Sequence, residues 1–227
     1  MLRGMPRLFF LLKNRLYKAD KIFTQTTGEE RDTLFELART KAGGIAAEIG
    51  SAYGASACFI AAGLRNKNSK LYCVDKWNIE YRQENGEVAN YLYEEDGRLR
   101  QFRWDPIDAR MKFTDFGGWK SQCPAYSQFL ENTEMFSHLI RPLRGDSTAA
   151  AALVRENIDF LFVDGWHEYE KVKEDWTAWS KRVARAAIVA FHDSGWAPGV
   201  QRVISEDVLP RAIEHRYLPN MFWAILE

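Results

Sequence analysis

The sequence has few cysteines, and they form neither a cross-linked framework nor a zinc site. The three thiols, Cys58, Cys73 and Cys123, are widely separated and odd in number. An odd set excludes a framework in which every thiol is paired, and the spacing matches no zinc motif. Reduced thiols are typical of cytosolic proteins, so we expect a cytoplasmic location.

The chain also lacks an excess of charge of either sign. Lys and Arg together number 31, Asp and Glu together number 31, and the formal net charge is zero. A nucleic-acid-binding surface needs a basic excess on one face, so no nucleic-acid partner is expected. Hydrophobic residues make up 46% of the 227 positions, which is enough for one large domain, with or without an insertion.

The N-terminal segment, residues 1–26, has no apolar run of membrane-spanning length. Its run at 8–12 has five residues and is surrounded by Arg3, Arg7, Lys13, Arg15 and Lys18. That is too short for a signal peptide or a transmembrane span. A basic, apolar helix over 1–26 would either pack on the domain or on a second copy in a homodimer, which we favour, or make weak contact with a membrane surface.

From residue 27 onward, short apolar runs alternate with helix-like segments. Thr27 and Glu30 have capping-box spacing and start the first well-marked helix. Strands are predicted at 45–49, 70–74, 139–143, 158–163, 186–191 and 222–226, with helices at 55–64, 129–137, 148–156, 169–179 and 200–209. This alternation predicts one α/β domain over 27–227. Its Rossmann-like sheet would be doubly wound and mostly parallel, with helices on both faces.

Residues 78–128 interrupt this alternation. The segment is polar, mixed in charge and carries nine aromatic residues. A loop of this length without secondary structure is unusual in a compact domain. We therefore expect a helical insertion after the second strand, serving as a lid or a dimer element.

Polar residues and glycines stand where the predicted strands end. They are Gly50-Ser51, Asp75, Gly145-Asp146-Ser147, Asp164-Gly165-Trp166-His167 and His192-Asp193. In sheets of this type ligands bind beyond the carboxyl ends of the strands. The concentration of such residues at one edge therefore predicts a ligand site there.

The first two strand ends point to a cofactor that carries a nucleoside. Gly50 allows a tight turn, Gly54 allows a ligand to approach the backbone, and the following helix N-terminus favours an anionic group. Asp75, at the end of the next strand, is placed to accept hydrogen bonds from both ribose hydroxyls.

Five motifs in order make the sequence resemble a known family. They are Glu48-Ile49-Gly50-Ser51 with Gly54 and Ser56, Val74-Asp75, Gly145-Asp146-Ser147, Phe162-Val163-Asp164-Gly165-Trp166-His167-Glu168-Tyr169, and Phe191-His192-Asp193. The set resembles the class I S-adenosylmethionine (SAM)-dependent methyltransferases, in particular the small-molecule O-methyltransferase branch. The resemblance spans about residues 46–209 apart from the insertion. It implies O-methylation of a hydroxyl on a small-molecule substrate, such as a sugar or a hydroxylated natural product.

The resemblance also implies which residues bind SAM. They come from three strand ends and are Glu48, Gly50, Ser51, Gly54, Asp75, Trp77, Asp146 and Ser147. The first four would hold the methionine part, Asp75 the ribose, and the last three the adenine.

The remaining polar cluster would carry the chemistry. Asp164, His167 and His192 are the candidate catalytic residues, because an imidazole or a carboxylate can take the proton from a hydroxyl. Asp164, His192 and Asp193 are candidate ligands for Mg²⁺ or another divalent cation. In related metal-dependent branches, acids at the positions of Asp164 and Asp193 bind magnesium. Both roles stay open at this stage.

Two other functional classes share parts of this pattern. A nicotinamide-dependent dehydrogenase would have the glycine turn and the ribose-binding acid, but the loop at 50–54 lacks Gly-x-Gly-x-x-Gly. A non-catalytic protein with the SAM-binding fold would act as a partner or scaffold. A dehydrogenase gives no account of the Asp164 and His192 motifs, and the intact cofactor edge argues against a non-catalytic protein.

Overall fold

The computed structural model describes residues 6–84, 87–95, 98–105, 110–115 and 125–227, with only the backbone for 79–115. The helices are α1 (Arg7–Lys13), α2 (Gly28–Arg39), α3 (Ala55–Leu64), α4 (Ala125–Thr133), α5 (Ser147–Leu153), α6 (Tyr169–Trp179) and α7 (Pro198–Val203). The strands are β1 (Ile45–Ile49), β2 (Lys70–Asp75), β3 (Ile79–Glu84), β4 (Glu87–Glu95), β5 (Arg98–Asp105), β6 (Arg110–Asp115), β7 (Ile140–Arg144), β8 (Ile158–Val163), β9 (Val183–His192), β10 (Ala212–Tyr217) and β11 (Met221–Leu226).

Seven strands form the main sheet, in the order β10-β11-β9-β8-β1-β2-β7. β1 pairs in parallel with β2 and with β8, and the sheet continues in parallel to β7 on one side and β9 on the other. In this sheet β10 and β11 add the antiparallel pairs. The prediction of a doubly wound, mostly parallel Rossmann-like sheet is confirmed.

Both faces of this sheet are covered, as the sequence predicted. Along β8, Phe160 and Phe162 belong to one buried cluster, together with side chains of α2, α3 and α4. Leu161 and Val163 point the other way into a second cluster with α5, α6 and α7. Side chains alternate across a strand, so the apolar run of β8 reflects burial on both faces.

The insertion is built of strands, so the prediction that it is helical was wrong. β3, β4, β5 and β6 form a second, four-stranded antiparallel sheet. Aromatic residues, which the segment holds in number, favour strands over helices. The sequence also has Asn-Gly at 85–86 and Asp-Gly at 96–97, each between two of these strands. Such dipeptides are strong hairpin signals. The insertion's role as a lid or dimer element stays a prediction.

The N-terminal segment packs on the domain through a helix shorter than predicted. Within 6–26, α1 ends at Lys13, and Arg15 takes a left-handed φ of 61° that a continuing helix does not allow. The Phe10 ring meets the Phe35 ring edge-on, with centroids 4.9 Å apart. Among the described residues, no helix has the length and apolarity needed to cross a membrane.

The C-terminal part adds an edge strand that the sequence did not predict. Every residue of β10 after Ala212 and Ile213 is polar or aromatic, and the strand is largely exposed. It therefore has no apolar run. The helix predicted at 200–209 is α7 followed by a wide turn over Ile204–Val208 and a tight turn over Leu209–Arg211.

Candidate active site at the carboxyl ends of the parallel strands

The candidate site lies where the strand order reverses, between β1 and β8. Gly50, directly after β1, has a φ of 85°. A Cβ at this position would lie 1.9 Å from the backbone oxygen of Asp164, which follows β8. Only glycine permits this approach, since a methyl group would overlap a backbone atom. The predicted cofactor loop and the predicted reaction centre are therefore in direct contact.

The first loop leads from a buried carboxylate to the start of α3. Glu48 in β1 is fully buried, and burial raises the pKa of its carboxyl to about 7. In the described part of the chain neither of its oxygens has a well-aligned hydrogen-bond partner, and neither has the Ser51 hydroxyl. Gly54 caps α3 with a φ of 88°, where a Cβ would lie 2.5 Å from the Thr133 methyl group. The Ser51 and Ser56 hydroxyls offset only part of the effect of burial on the Glu48 carboxyl. A buried carboxylate that is incompletely paired is costly, so Glu48 is suited to a cationic ligand group.

Asp75 and Trp77 tie the second strand end to the first loop. The Asp75 carboxylate accepts hydrogen bonds from the backbone N–H of Ala52 (2.9 Å) and of Trp77 (2.6 Å). The Trp77 indole N–H donates to the Ala52 carbonyl over 2.7 Å. Its ring is 1% exposed and packs on Tyr126 and Phe129 from α4. The visible role of both residues is to fix the loop, and their contacts with a cofactor stay predictions.

Asp146 and Ser147 stand at the start of α5. An Asp146 carboxylate oxygen accepts from the Thr148 backbone N–H (3.0 Å) and hydroxyl (2.6 Å), and these bonds hold the pKa of Asp146 below its usual value. The Ser147 hydroxyl accepts from the indole N–H of Trp179 over 2.9 Å. The Asp146 side chain is about half exposed, so it remains accessible to a ligand.

The second polar cluster converges as the sequence predicted. His192 is the last residue of β9, which is the parallel neighbour of β8 and so ends beside Asp164. The His192 Nδ1 atom lies 3.1 Å from an Asp164 oxygen and 3.3 Å from an Asp193 oxygen. The imidazole is 1% exposed, while the Asp164 side chain is 20% exposed. Asp164 is therefore the member of this trio most open to a ligand.

Asp193 organises the outer part of this cluster. One oxygen accepts from His167 Nε2 (2.7 Å), and the other accepts from the Trp196 indole N–H (2.7 Å) and the Asn220 amide (2.9 Å). Burial would raise the pKa of Asp193, but the hydrogen bonds from His167 and His192 outweigh it and hold the pKa well below its usual value. Burial would likewise lower the pKa of His167, but the bond to Asp193 outweighs it and the pKa is raised. His167 and Asp193 thus form a charge-assisted pair.

Glu30 is a site residue that the sequence analysis interpreted only as a helix cap. Its carboxylate accepts from the Thr27 backbone N–H over 2.7 Å, which completes the predicted capping box. The same oxygen lies 3.5 Å from His192 Nε2, so carboxylates face both ring nitrogens of His192. Burial alone would lower the His192 pKa, but Asp164, Asp193 and Glu30 together raise it to about 12. This arrangement favours the protonated form of His192.

The same trio also matches the donor set of a metal site. Asp164, His192 and Asp193 each offer one ligand atom, and these atoms lie within 4.8 Å of one another. His192 Nδ1 is buried and has no well-aligned hydrogen bond within the described part of the chain. Two carboxylates and an imidazole suit a divalent transition metal better than Mg²⁺, which prefers oxygen ligands. His192 Nδ1 can bind a proton or coordinate a metal ion, but it cannot do both at the same time.

Solved structures with similar folds include several O-methyltransferases. The O-methyltransferase TomG from Streptomyces achromogenes, involved in tomaymycin synthesis and solved with SAM, matches with a TM-score of 0.60 and 14% identity, over 96% of this chain and 94% of TomG. An O-methyltransferase from Bacillus cereus, solved with SAH, matches with a TM-score of 0.57 and 13% identity, over 100% of this chain and 94% of that one. The O-methyltransferase NovP matches with a TM-score of 0.60 and 12% identity, over 94% of this chain and 88% of NovP. At these identities the likeness concerns the fold.

A family model supplies the assignment. The model described as a methyltransferase domain matches residues 47–194, which is more than half of the chain and reaches from within β1 to the residue after Asp193. The match gives no support to the dehydrogenase alternative. The chain therefore belongs to the methyltransferase domain family.

Proposed function

We propose that the protein transfers the methyl group of SAM to a hydroxyl oxygen of a small, ring-containing molecule. The observation that carries the proposal is the 2.7 Å hydrogen bond between His167 and Asp193. The close backbone contact of Gly50 with Asp164 joins this part of the site to the cofactor loop. The sulfonium activates the methyl group, so the protein must align the acceptor oxygen and remove its proton. The His167 imidazole, held by the Asp193 carboxylate, can remove that proton.

The inner loop fits the amino-acid end of SAM. Glu48 offers two buried oxygens without a well-aligned partner in the described chain, and the ammonium of SAM is a cation that hydrogen-bonds such a group. Asp75 accepts one backbone N–H at each oxygen. Each carboxylate oxygen has two lone pairs, so it retains capacity for the ribose hydroxyls.

His167 is the general base in this proposal. Its Nε2 is bonded to Asp193, which leaves Nδ1 to receive the proton of the acceptor hydroxyl. Asp193 orients the ring and stabilises the imidazolium that forms, as in other His–carboxylate pairs. His192 has a different role, since its nitrogens face Glu30 and Asp164, and these carboxylates favour its protonated form. A protonated His192 in turn favours the ionised forms of Asp164 and Asp193, against the effect of burial.

Two exposed indoles beside His167 favour a flat, neutral acceptor. Trp166 is 46% exposed and Trp196 is 59% exposed. The Trp196 ring lies 4.9 Å from the His167 ring and is held by its bond to Asp193. Rigid aromatic faces pack well against sugar rings and aromatic rings. The carboxylates around them disfavour an anionic substrate.

A divalent cation is the second candidate. The observation that favours it is the position of His192 Nδ1, which lies 3.1 Å from an Asp164 oxygen and 3.3 Å from an Asp193 oxygen without a well-aligned hydrogen bond in the described chain. Asp164, His192 and Asp193 would hold the ion. A bound ion lowers the pKa of a coordinated hydroxyl. Calorimetric titration with Mn²⁺ and with Mg²⁺ distinguishes a site that binds a metal ion from one that contains a protonated His192. Binding of Mn²⁺ with release of protons favours the metal, and no heat with either ion favours the imidazolium.

The function itself is tested by methyl transfer. The purified protein is incubated with SAM and a panel of sugars and phenols, and the release of S-adenosylhomocysteine is measured. We expect turnover with at least one hydroxylated compound and its loss in His167→Ala, whereas the exposed His138→Ala should act like the wild type. Equal turnover in both variants would remove His167 from the reaction.

A further inference from the structure

Helix α1 has one face packed on the domain and one face open to solvent. Phe10 and Leu11 are buried in the core cluster with α2 and α3. Leu8, Phe9 and Leu12 are 54%, 54% and 57% exposed. These three residues lie on the same side of the helix, because positions three and four apart share a face. Three large apolar side chains at more than half exposure form a contiguous apolar patch.

The chain around this patch is basic. Lys13, Arg15, Lys18 and Lys21 are all exposed. The only acid between residues 6 and 27 is Asp20, and its carboxylate is already engaged by Arg7 (2.6 Å) and by Arg31 (2.8 Å).

A further cation comes from the end of α3. The guanidinium of the exposed Arg65 donates to the Asn14 carbonyl over 2.7 Å, beside the end of α1. Five exposed cations thus follow the patch in the chain or lie beside the end of α1, and they come from two separate parts of the chain. The acid within 6–27 offers them no free carboxylate.

We propose that this face, formed by Leu8, Phe9 and Leu12 with the cations Lys13, Arg15, Lys18, Lys21 and Arg65, binds the surface of an anionic lipid bilayer. Apolar side chains that enter the headgroup region, combined with cations that meet acidic headgroups, are the two contributions that hold a protein at such a surface. The proposal concerns attachment to one leaflet.

The charge pattern favours a lipid surface over a second copy of the chain. In a two-fold dimer the same patch meets itself, which would bring the cationic borders of both copies together. Like charges across an interface oppose association.

The patch is held rigidly enough to act as a docking face. The Arg7 guanidinium pairs with Asp20 and with Asp32 of α2 at 2.9 Å, and the Phe10 ring packs on Phe35 of the same helix. These contacts fix which side of α1 faces outward. The apolar side chains therefore need no rearrangement of the domain to reach a membrane.

Co-sedimentation with vesicles tests the proposal on the full chain. We expect binding to phosphatidylcholine vesicles that contain phosphatidylserine, little binding to pure phosphatidylcholine, and a loss of binding as salt rises. The double variant Phe9→Ser, Leu12→Ser should lower the partition coefficient about tenfold or more, because it removes the inserted apolar side chains. The matched control is Leu153→Ser, whose leucine is 71% exposed on α5.

The outcomes separate the possible occupants. Circular dichroism and SAM binding establish that each variant is folded, and neither readout depends on lipid. Equal sedimentation of the wild type and the Phe9 and Leu12 variant would overturn the proposal, as would no wild-type binding to anionic vesicles. A dimer in light scattering that dissociates in the same variant would also overturn it, in favour of a second copy.

Discussion

Replacing Asp193 with asparagine tests the pair that carries the proposed chemistry. The residue has a φ of 58°, and asparagine tolerates this left-handed conformation better than alanine does. The new amide would retain the shape of the side chain and hydrogen-bonding capacity toward Trp196 and Asn220. What the substitution removes is the negative charge that faces His167 Nε2 at 2.7 Å and His192 Nδ1 at 3.3 Å.

The size of the effect on kcat is worked from the contact with His167, the proposed general base. A hydrogen bond to a charged group contributes about 1.5–3 kcal/mol, and about 1.4 kcal/mol corresponds to a tenfold change in rate. Removing the charge should thus lower kcat by about 10- to 150-fold. The His167 side chain is 41% exposed, and solvent screens such a contact. We therefore expect a loss near the lower end, about tenfold.

Histidine NMR measures the cause of this effect without a substrate. The chain has only four histidines, so their ring resonances are readily assigned. The wild-type His167 pKa should lie above its ordinary value of 6.5, and the Asp193→Asn substitution should lower it, because burial then acts without the opposing charge. Resonances of the exposed His138 and His215 should not change. An unaltered His167 titration in a folded variant would refute the pairing.

Four further predictions follow from other contacts of the site. Gly50→Ala should lower the free energy of unfolding by about 1–3 kcal/mol, measured by urea denaturation, because the new Cβ meets the Asp164 oxygen at a φ of 85°; an unchanged midpoint would contradict it. Glu30→Gln retains the helix cap but removes one charge beside His192, so the His192 pKa should fall in the same NMR titration, and a constant value would exclude Glu30 as a partner. Asp75→Asn should weaken SAM binding about tenfold or more through the ribose hydroxyls, and equal affinity by calorimetry would disprove that assignment. The His167–Asp193 pair should stabilise the fold below about pH 6.5 and lose this contribution as pH rises through the raised His167 pKa. If the free energy of unfolding of the wild type, relative to that of His167→Ala, did not decline as pH rises above 6.5, the prediction would be wrong.

The sequence identified the parts of the fold and site that depend on short, local patterns. Residues 158–163 read as a buried strand because all but Asp159 are apolar, and the structure places that strand at the centre of the sheet. Parallel strands end at one edge, which is why Asp164 and His192 could be expected to meet before any distance was known.

The errors have identifiable physical causes. The strands of the insertion were not predicted because the Asn-Gly and Asp-Gly dipeptides between them, which are hairpin signals, were not considered together with the aromatic content. β10 was missed because an exposed edge strand carries no apolar run. Glu30 and Asn220 join the site only through tertiary contacts, more than 160 positions apart in the chain in the case of Glu30 and His192. No local pattern signals such a contact.

Calorimetric titration of the full chain with SAM tests the central claim most directly. The account predicts that SAM and S-adenosylhomocysteine bind at a single shared site, that binding weakens in Asp75→Asn, and that NAD gives no heat. Absence of SAM binding by the folded protein, or binding of NAD in place of SAM, would contradict the assignment of the loop at Gly50 and of the acid at Asp75 as a SAM site.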